Sequence, residues 1–219
     1  MARRLVSAAR GGHLNMRGLI LAAAALSLAA CATPSGTQQP RRYPTDPISG
    51  FAWCMSFGCS DMQVGVRVTP AQWTEIGAFF DGTRDAADER ARVARAVSRF
   101  EQIAGEITGT RIDEGGTGIL PTRGLGQLDC YAEAGNTTTT LTMIAKAGFL
   151  KFHTVDAVTV RGFGHKGFMP IHATATLREN ADGHLWVVDT WYYDNGGPTF
   201  VVDRQEWLDG WSPEGGTHF

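Results

Sequence analysis

The sequence has no HExxH, no paired CxxC and no other metal-ligand spacing, so nothing in it predicts a bound metal or any cofactor. Its Gly-Gly-Thr-Gly at 115–118 is not followed by Gly-Lys-Ser/Thr, which excludes a phosphate-cradling P-loop. No internal repeat is visible, which excludes repeat architectures. The most apolar run, Leu19 to Ala30, is too short to cross a bilayer as a mature helix. Cysteine is scarce, with four in 219 residues, so each one asks for an explanation.

Arg3, Arg4, Arg10 and Arg17 precede the apolar run, which ends Leu28-Ala29-Ala30-Cys31. That layout is a secretory signal. A cysteine directly after Leu-Ala-Ala resembles the bacterial lipobox, which implies cleavage before Cys31, lipidation of its thiol and a membrane held through the lipid anchor. Ala32 in place of Asp implies the outer membrane, facing the periplasm. An ordinary cleaved signal peptide is the alternative, and Met16 could serve as the start, since MRGLILAAAALSLAAC is a complete signal alone.

Losing residues 1–30 removes four arginines and no acids, leaving 16 basic against 22 acidic residues and moving the formal charge from −2 to −6. Such a chain is a poor partner for nucleic acid, whose phosphates need clustered Lys and Arg. Residues 31–50 hold the anchor and a Pro-, Ser-, Thr- and Gln-rich stretch that reads as a tether. Residues 51–219 are the size of one domain.

In an oxidising compartment, Cys54 and Cys59 in WCMSFGCSD are close enough to close a small disulfide loop. Cys130 is left without a cysteine partner, as an inert core residue or as a working thiol.

The alternation in MQVGVRV predicts a strand over 62–68. Thr69-Pro70 supplies an N-cap and a first-turn proline for a helix over 71–79. A long helix is predicted over 85–107, with Val93, Ala96, Val97, Phe100, Ile103 and Ala104 inward and Asp88, Glu89, Arg90, Arg92, Arg95 and Arg99 on a solvated face. Seven glycines and prolines mark 108–126 as a loop. A further helix then begins with Asp129 as N-cap and Cys130 in the first turn, and stops at Gly148. The positive end of that helix favours thiolate at Cys130, and its N–H groups could face an oxyanion. Its Thr137–Thr140 run disfavours helix, which predicts tertiary packing or polar contacts there.

Strands are predicted over 152–160, 171–177, 185–193 and 199–203. With a four-residue turn, Asn180-Ala181-Asp182-Gly183, position 172 pairs with 191, so Asp189 is the diagonal neighbour of His172 on the same face. This register selects His172 over His153, its main rival, and over His165, His184 and His218.

A helix-start cysteine, a strand opening His-Ala and a strand ending Trp-Val-Val-Asp, 42 and then 17 residues on, resemble the core of the transglutaminase-like, papain-fold cysteine enzymes, over residues 100–211. The resemblance implies an α+β fold with N-terminal helices and a nucleophile helix packed on an antiparallel β-sheet. It also implies acyl transfer with Cys130 as nucleophile, His172 as base and acid, and Asp189 as the orienting carboxylate. Gln127 and Asn136 would be weak oxyanion or supporting groups, and Glu133 either such a group or part of a solvated face. Substrates reachable from the envelope are peptides, proteins or peptidoglycan. NlpC/P60-like peptidases also open their nucleophile motif with Asp-Cys, but Tyr131-Ala132 stands where they carry Ser-Gly. The alternative from another class is a non-catalytic envelope lipoprotein on the same fold.

Overall fold

The computed structural model describes residues 45–59, 63–117, 124–162 and 171–214. The signal segment, Cys31, most of the tether, His165 and His218 lie outside the described residues.

The fold is α+β. A two-stranded antiparallel ribbon comes first, β1 (Phe51–Cys54) with β2 (Gln63–Val66), paired Phe51 to Val66 and Cys54 to Gln63. Helix α1 (Pro70–Ala78) starts as the sequence predicts. Thr69 accepts from the Gln72 amide, and the Gln72 side chain accepts from the Thr69 amide, a reciprocal capping box. Helix α2 (Ala86–Thr108) is capped by Asp85, which accepts from Asp88, and ends at Gly109, whose φ of 88° needs a residue without Cβ strain. All six predicted apolar residues of α2 are buried, against Phe51, Trp53 and Ile76.

Helix α3 (Cys130–Lys146) follows the loop. The threonine run predicted to be a poor helix former spends its hydroxyls on its own backbone. Thr138, Thr139 and Thr140 donate to the carbonyls four residues back at 2.7, 2.9 and 3.0 Å, while Thr137 and Thr140 are also buried in packing.

Strands β3 (His153–Arg161), β4 (His172–Glu179), β5 (Leu185–Asp189) and β6 (Phe200–Asp203) form an antiparallel meander in sequence order. The β4–β5 register is the expected one: Ala175 pairs with Val188 and Arg178 with Leu185, around a turn at 180–183. Strand β5 stops at Asp189, short of the predicted 193. The Asp189 side chain turns back to accept from the Trp191 amide at 3.2 Å, and β6 pairs no further than Asp189 with Phe200. Residues 190–198 leave the sheet as a loop.

Both faces of β4 are covered. Ala173, Ala175 and Leu177 meet α3 and the main core, while on the opposite face of the sheet Val187 packs with Trp207 and Leu208 of the short helix α4 (Arg204–Leu208). Among the described residues no helix is long and apolar enough to cross a membrane.

Two predictions of solvated charge are corrected. Glu89 is fully buried: its carboxylate accepts from the amides of Lys151 and Phe152 and meets His153 Nδ1 at 2.9 Å. The polar group sits inside because β3 begins there and its first amides need acceptors. Arg90 is partly buried, lying over the Trp186 ring and donating to Glu179 at 2.7 Å.

Candidate functional site

Helix α3 is fixed at its start by the ribbon. Asp129 caps it through Oδ1 to the Ala132 amide at 2.8 Å, and its Oδ2 accepts from Gly58 at 2.9 Å. Gly58 lies in the loop closed by the Cys54–Cys59 disulfide, whose Cα atoms are 5.0 Å apart. Asn136 extends the same clamp, accepting from the Cys54 amide at 2.8 Å and donating to its carbonyl at 3.2 Å. The structure thus spends Asn136 on the ribbon.

Cys130 is not in a disulfide and is buried. Its thiol lies over the start of β4, with Sγ 3.9 Å from the Ile171 carbonyl oxygen and a hydrogen bond from the Ala173 amide. The two peptide groups it touches flank His172. Burial pushes the thiol up to about 11, and the carboxylates of Asp129 and Asp189 push the same way. The helix start therefore does not by itself yield the thiolate expected from sequence, because desolvation of the charged form outweighs it.

His172 is fully buried. Its Nε2 meets Asp189 Oδ2 at 2.8 Å, and Trp207 Nε1 donates to the same oxygen at 2.7 Å. The imidazole is enclosed by Trp191, Trp207 and Tyr192, with ring centroids 4.6, 5.2 and 5.6 Å away. Trp191 also packs in one cluster with Cys130 and Ala173, so a single indole touches the surroundings of both thiol and imidazole. It is held from the far side: its Nε1 donates to Thr117 O at 2.9 Å, and its carbonyl accepts from Gly116 at 2.7 Å.

The other candidates are placed elsewhere. Gln127 is buried, with its amide donating to Asp113, to Glu114 O at 2.9 Å and to Thr117 Oγ1 at 2.8 Å, and its oxygen accepting from Glu114. It organises the 113–117 loop that seats Trp191. His153 sits in the Glu89 cluster, and His184 pairs with Asp203 at 2.6 Å.

Sequence reasoning missed a cluster of acids behind Asp189. Glu101 of α2, Asp113 of the loop and Glu133 of α3 are all buried. Glu133 and Asp113 share a hydrogen bond, Thr190 donates to Glu133 Oε2 at 3.1 Å, and Glu101 meets Thr190 and the Gly196 amide. Burial pushes Glu101 up to about 8 and Asp113 up to about 6, and Glu133 is raised well above the usual range by burial and by its two acidic neighbours. Of the two readings left open for Glu133, a supporting group or a solvated face, its burial rules out the solvated face. No local signal marks the cluster, because its members come from three separate elements. Among the described residues no group of His, Cys, Asp and Glu is arranged to hold a metal ion.

No family model matches the chain, and no curated protein or solved structure matches it either.

Proposed function

We propose that this chain is a bacterial envelope lipoprotein whose domain is a transglutaminase-like, papain-fold thiol acyl-transfer enzyme, with Cys130 as nucleophile, His172 as base and acid, and Asp189 as orienting group. The observation that carries this reading is the His172–Asp189 bond at 2.8 Å, with the Cys130 thiol against the peptide groups on both sides of His172. Asp189 fixes the imidazole with its proton on Nε2, so Nδ1 is the nitrogen that exchanges a proton with the thiol. As sulfur attacks an amide carbonyl, that nitrogen takes the thiol proton and then delivers it to the departing amine. Water or a second amine resolves the thioester. Because burial raises the Cys130 thiol, the resting nucleophile is the thiol, and proton removal accompanies attack. Envelope placement rests on the basic residues, apolar run and Cys31 of the N-terminus.

The test is the rate of iodoacetamide alkylation of Cys130 against pH, with His172→Ala as control. An enzyme gives a rate that His172→Ala lowers at least tenfold near pH 7. The second reading, a non-catalytic envelope module, is favoured by the burial of Cys130 and predicts a slow thiol indifferent to His172.

A further inference from the structure

Arg161 is the last residue of β3 and pairs directly across the ladder with His172, which brings their side chains to one face. It is a buried cation, 5 % exposed, and among the described residues no carboxylate forms an ion pair with it. Its guanidinium spends its donors on the carbonyl of Trp207, on the carbonyl of Trp211 at 2.9 Å and on the hydroxyl of Tyr192 at 2.7 Å. Its plane lies over the Trp207 ring, with the guanidinium carbon 4.2 Å from the centroid. Trp207 and Tyr192 both pack against the His172 ring, and Trp207 is the second donor to Asp189. One side chain therefore holds an aromatic wall of the imidazole and the indole that fixes the carboxylate.

Keeping a cation inside a protein with no carboxylate partner among the described residues is costly, and an apolar side chain could fill the same volume. The cation has an electrostatic effect that an apolar residue lacks: it opposes protonation of the imidazole across the strand. Among the described residues, the other titratable groups around His172 include Asp189 of β5, which favours protonation, Cys130 of α3, and Tyr192, whose hydroxyl is pushed upward by burial and by Asp189. Behind Asp189 stands Glu101 of α2. From α4 the residue on the ring is Trp207, which does not titrate, and Arg204 reaches Thr159 farther along β3 at 3.2 Å.

We infer that Arg161 is the positioning residue of the His172–Asp189 pair: it clamps Trp207 and Tyr192 against the imidazole and, as a cation on the same face, opposes its protonation. The effect on the imidazole stands without the enzymatic reading of Cys130. The effect on the thiol rests on it.

The experiment compares the whole chain as wild type, Arg161→Met and Arg161→Lys, with folding checked by near-UV circular dichroism. His172 is titrated by the NMR shifts of its ring, and Cys130 by alkylation. Arg161→Met is expected to raise the His172 titration by about one pH unit and to slow alkylation about tenfold at pH 7. Arg161→Lys, which keeps the charge but loses the fork and the stack, is expected to return the titration to within a few tenths of a unit of wild type. A folded Arg161→Met whose His172 titrates as in wild type overturns the proposal. If Arg161→Met does not fold, Trp207→Phe removes the second donor from Asp189 and is expected to raise the His172 titration likewise. An unchanged value there also overturns it. An alkylation rate indifferent to His172→Ala in the wild type sinks the enzymatic reading alone, and the titrations still decide the role of Arg161.

Discussion

One oxygen of Asp189 accepts from both His172 Nε2, at 2.8 Å, and Trp207 Nε1, at 2.7 Å, while its other oxygen accepts from the Trp191 amide at 3.2 Å. Three donors converge on a single buried carboxylate, and no arrangement of an amide can receive all three. Asp189→Asn keeps the shape but must aim its NH2 at either Trp191 or the His172–Trp207 pair. The expected cost is about 2–3 kcal/mol of stability, read from the urea midpoint, together with loss of any His172 dependence in Cys130 alkylation. A midpoint equal to wild type would mean that the three donors do not depend on a carboxylate.

The acid cluster gives stability a pH dependence whose sign follows from its shifts. Glu101 rises from 4.5 to about 8 and Asp113 from 3.8 to about 6, both chiefly through burial. The folded chain thus holds protons that the unfolded chain has released, and stability falls as pH rises through the window from about 4 to about 8. Each proton so held contributes a slope of up to about 1.4 kcal/mol per pH unit. Glu133→Gln removes one acid and still offers a donor to Asp113. It should flatten the slope between pH 5 and pH 8 and make the variant the more stable protein at pH 8, by about 1 kcal/mol or more. Parallel urea curves at the two pH values check this, and a steeper slope in the variant would contradict the assignment.

The register of β4 on β5 was legible from the turn at 180–183, because side-chain alternation and a four-residue loop leave one pairing that puts His172 and Asp189 on a common face. The caps at Thr69 and Asp129 were legible because a short oxygen-bearing side chain before an apolar period has a local reason to be there; Asp85, read as the first helical residue, proves to be a cap as well. What could not be read is what depends on distant segments. Glu89 and Glu133 look like solvated helix residues until β3 and the 113–117 loop are brought against them. Arg161 carries no motif and Trp207 only a tryptophan-rich ending with no assigned role, and they join the site because the 190–198 loop and α4 fold back over the face of β4 that bears His172. The thiol is the clearest limit: a helix start argues for a lowered Cys130, and the burial that reverses it is a property of the packed molecule.

Asn136 offers a test of the ribbon as a clamp on α3. Its side chain satisfies both the amide and the carbonyl of Cys54, and all of these groups are buried. Asn136→Ala strands both, at an expected cost of about 2–4 kcal/mol. Reducing the Cys54–Cys59 bridge, which closes a short loop, should cost about 2 kcal/mol in the wild type on the chain-entropy account. Since both hold one ribbon, their combined cost should fall short of the sum, as thermal melts with and without reductant on the two proteins would show. Strict additivity would separate the disulfide from the helix clamp.

Gly115 is where the loop that seats Trp191 passes over Tyr193. A Cβ there would lie 2.4 Å from the Tyr193 backbone, too close for any adjustment short of moving the chain. The neighbouring Gly116 amide donates to the Trp191 carbonyl at 2.7 Å, Gly115 itself donates to Asp194 Oδ1 at 3.1 Å, and Thr117 O accepts from the Trp191 indole. Displacing Gly115 therefore displaces the contacts that hold Trp191 against His172 and in the cluster with Cys130. Gly115→Ala is expected to cost about 1–3 kcal/mol through overpacking and to raise the alkylation rate of Cys130 as its cover loosens. Gly124→Ala, which has open space around its Cβ, should leave both unchanged. If the two alanine variants behave alike, the 113–117 loop does not control access to the thiol.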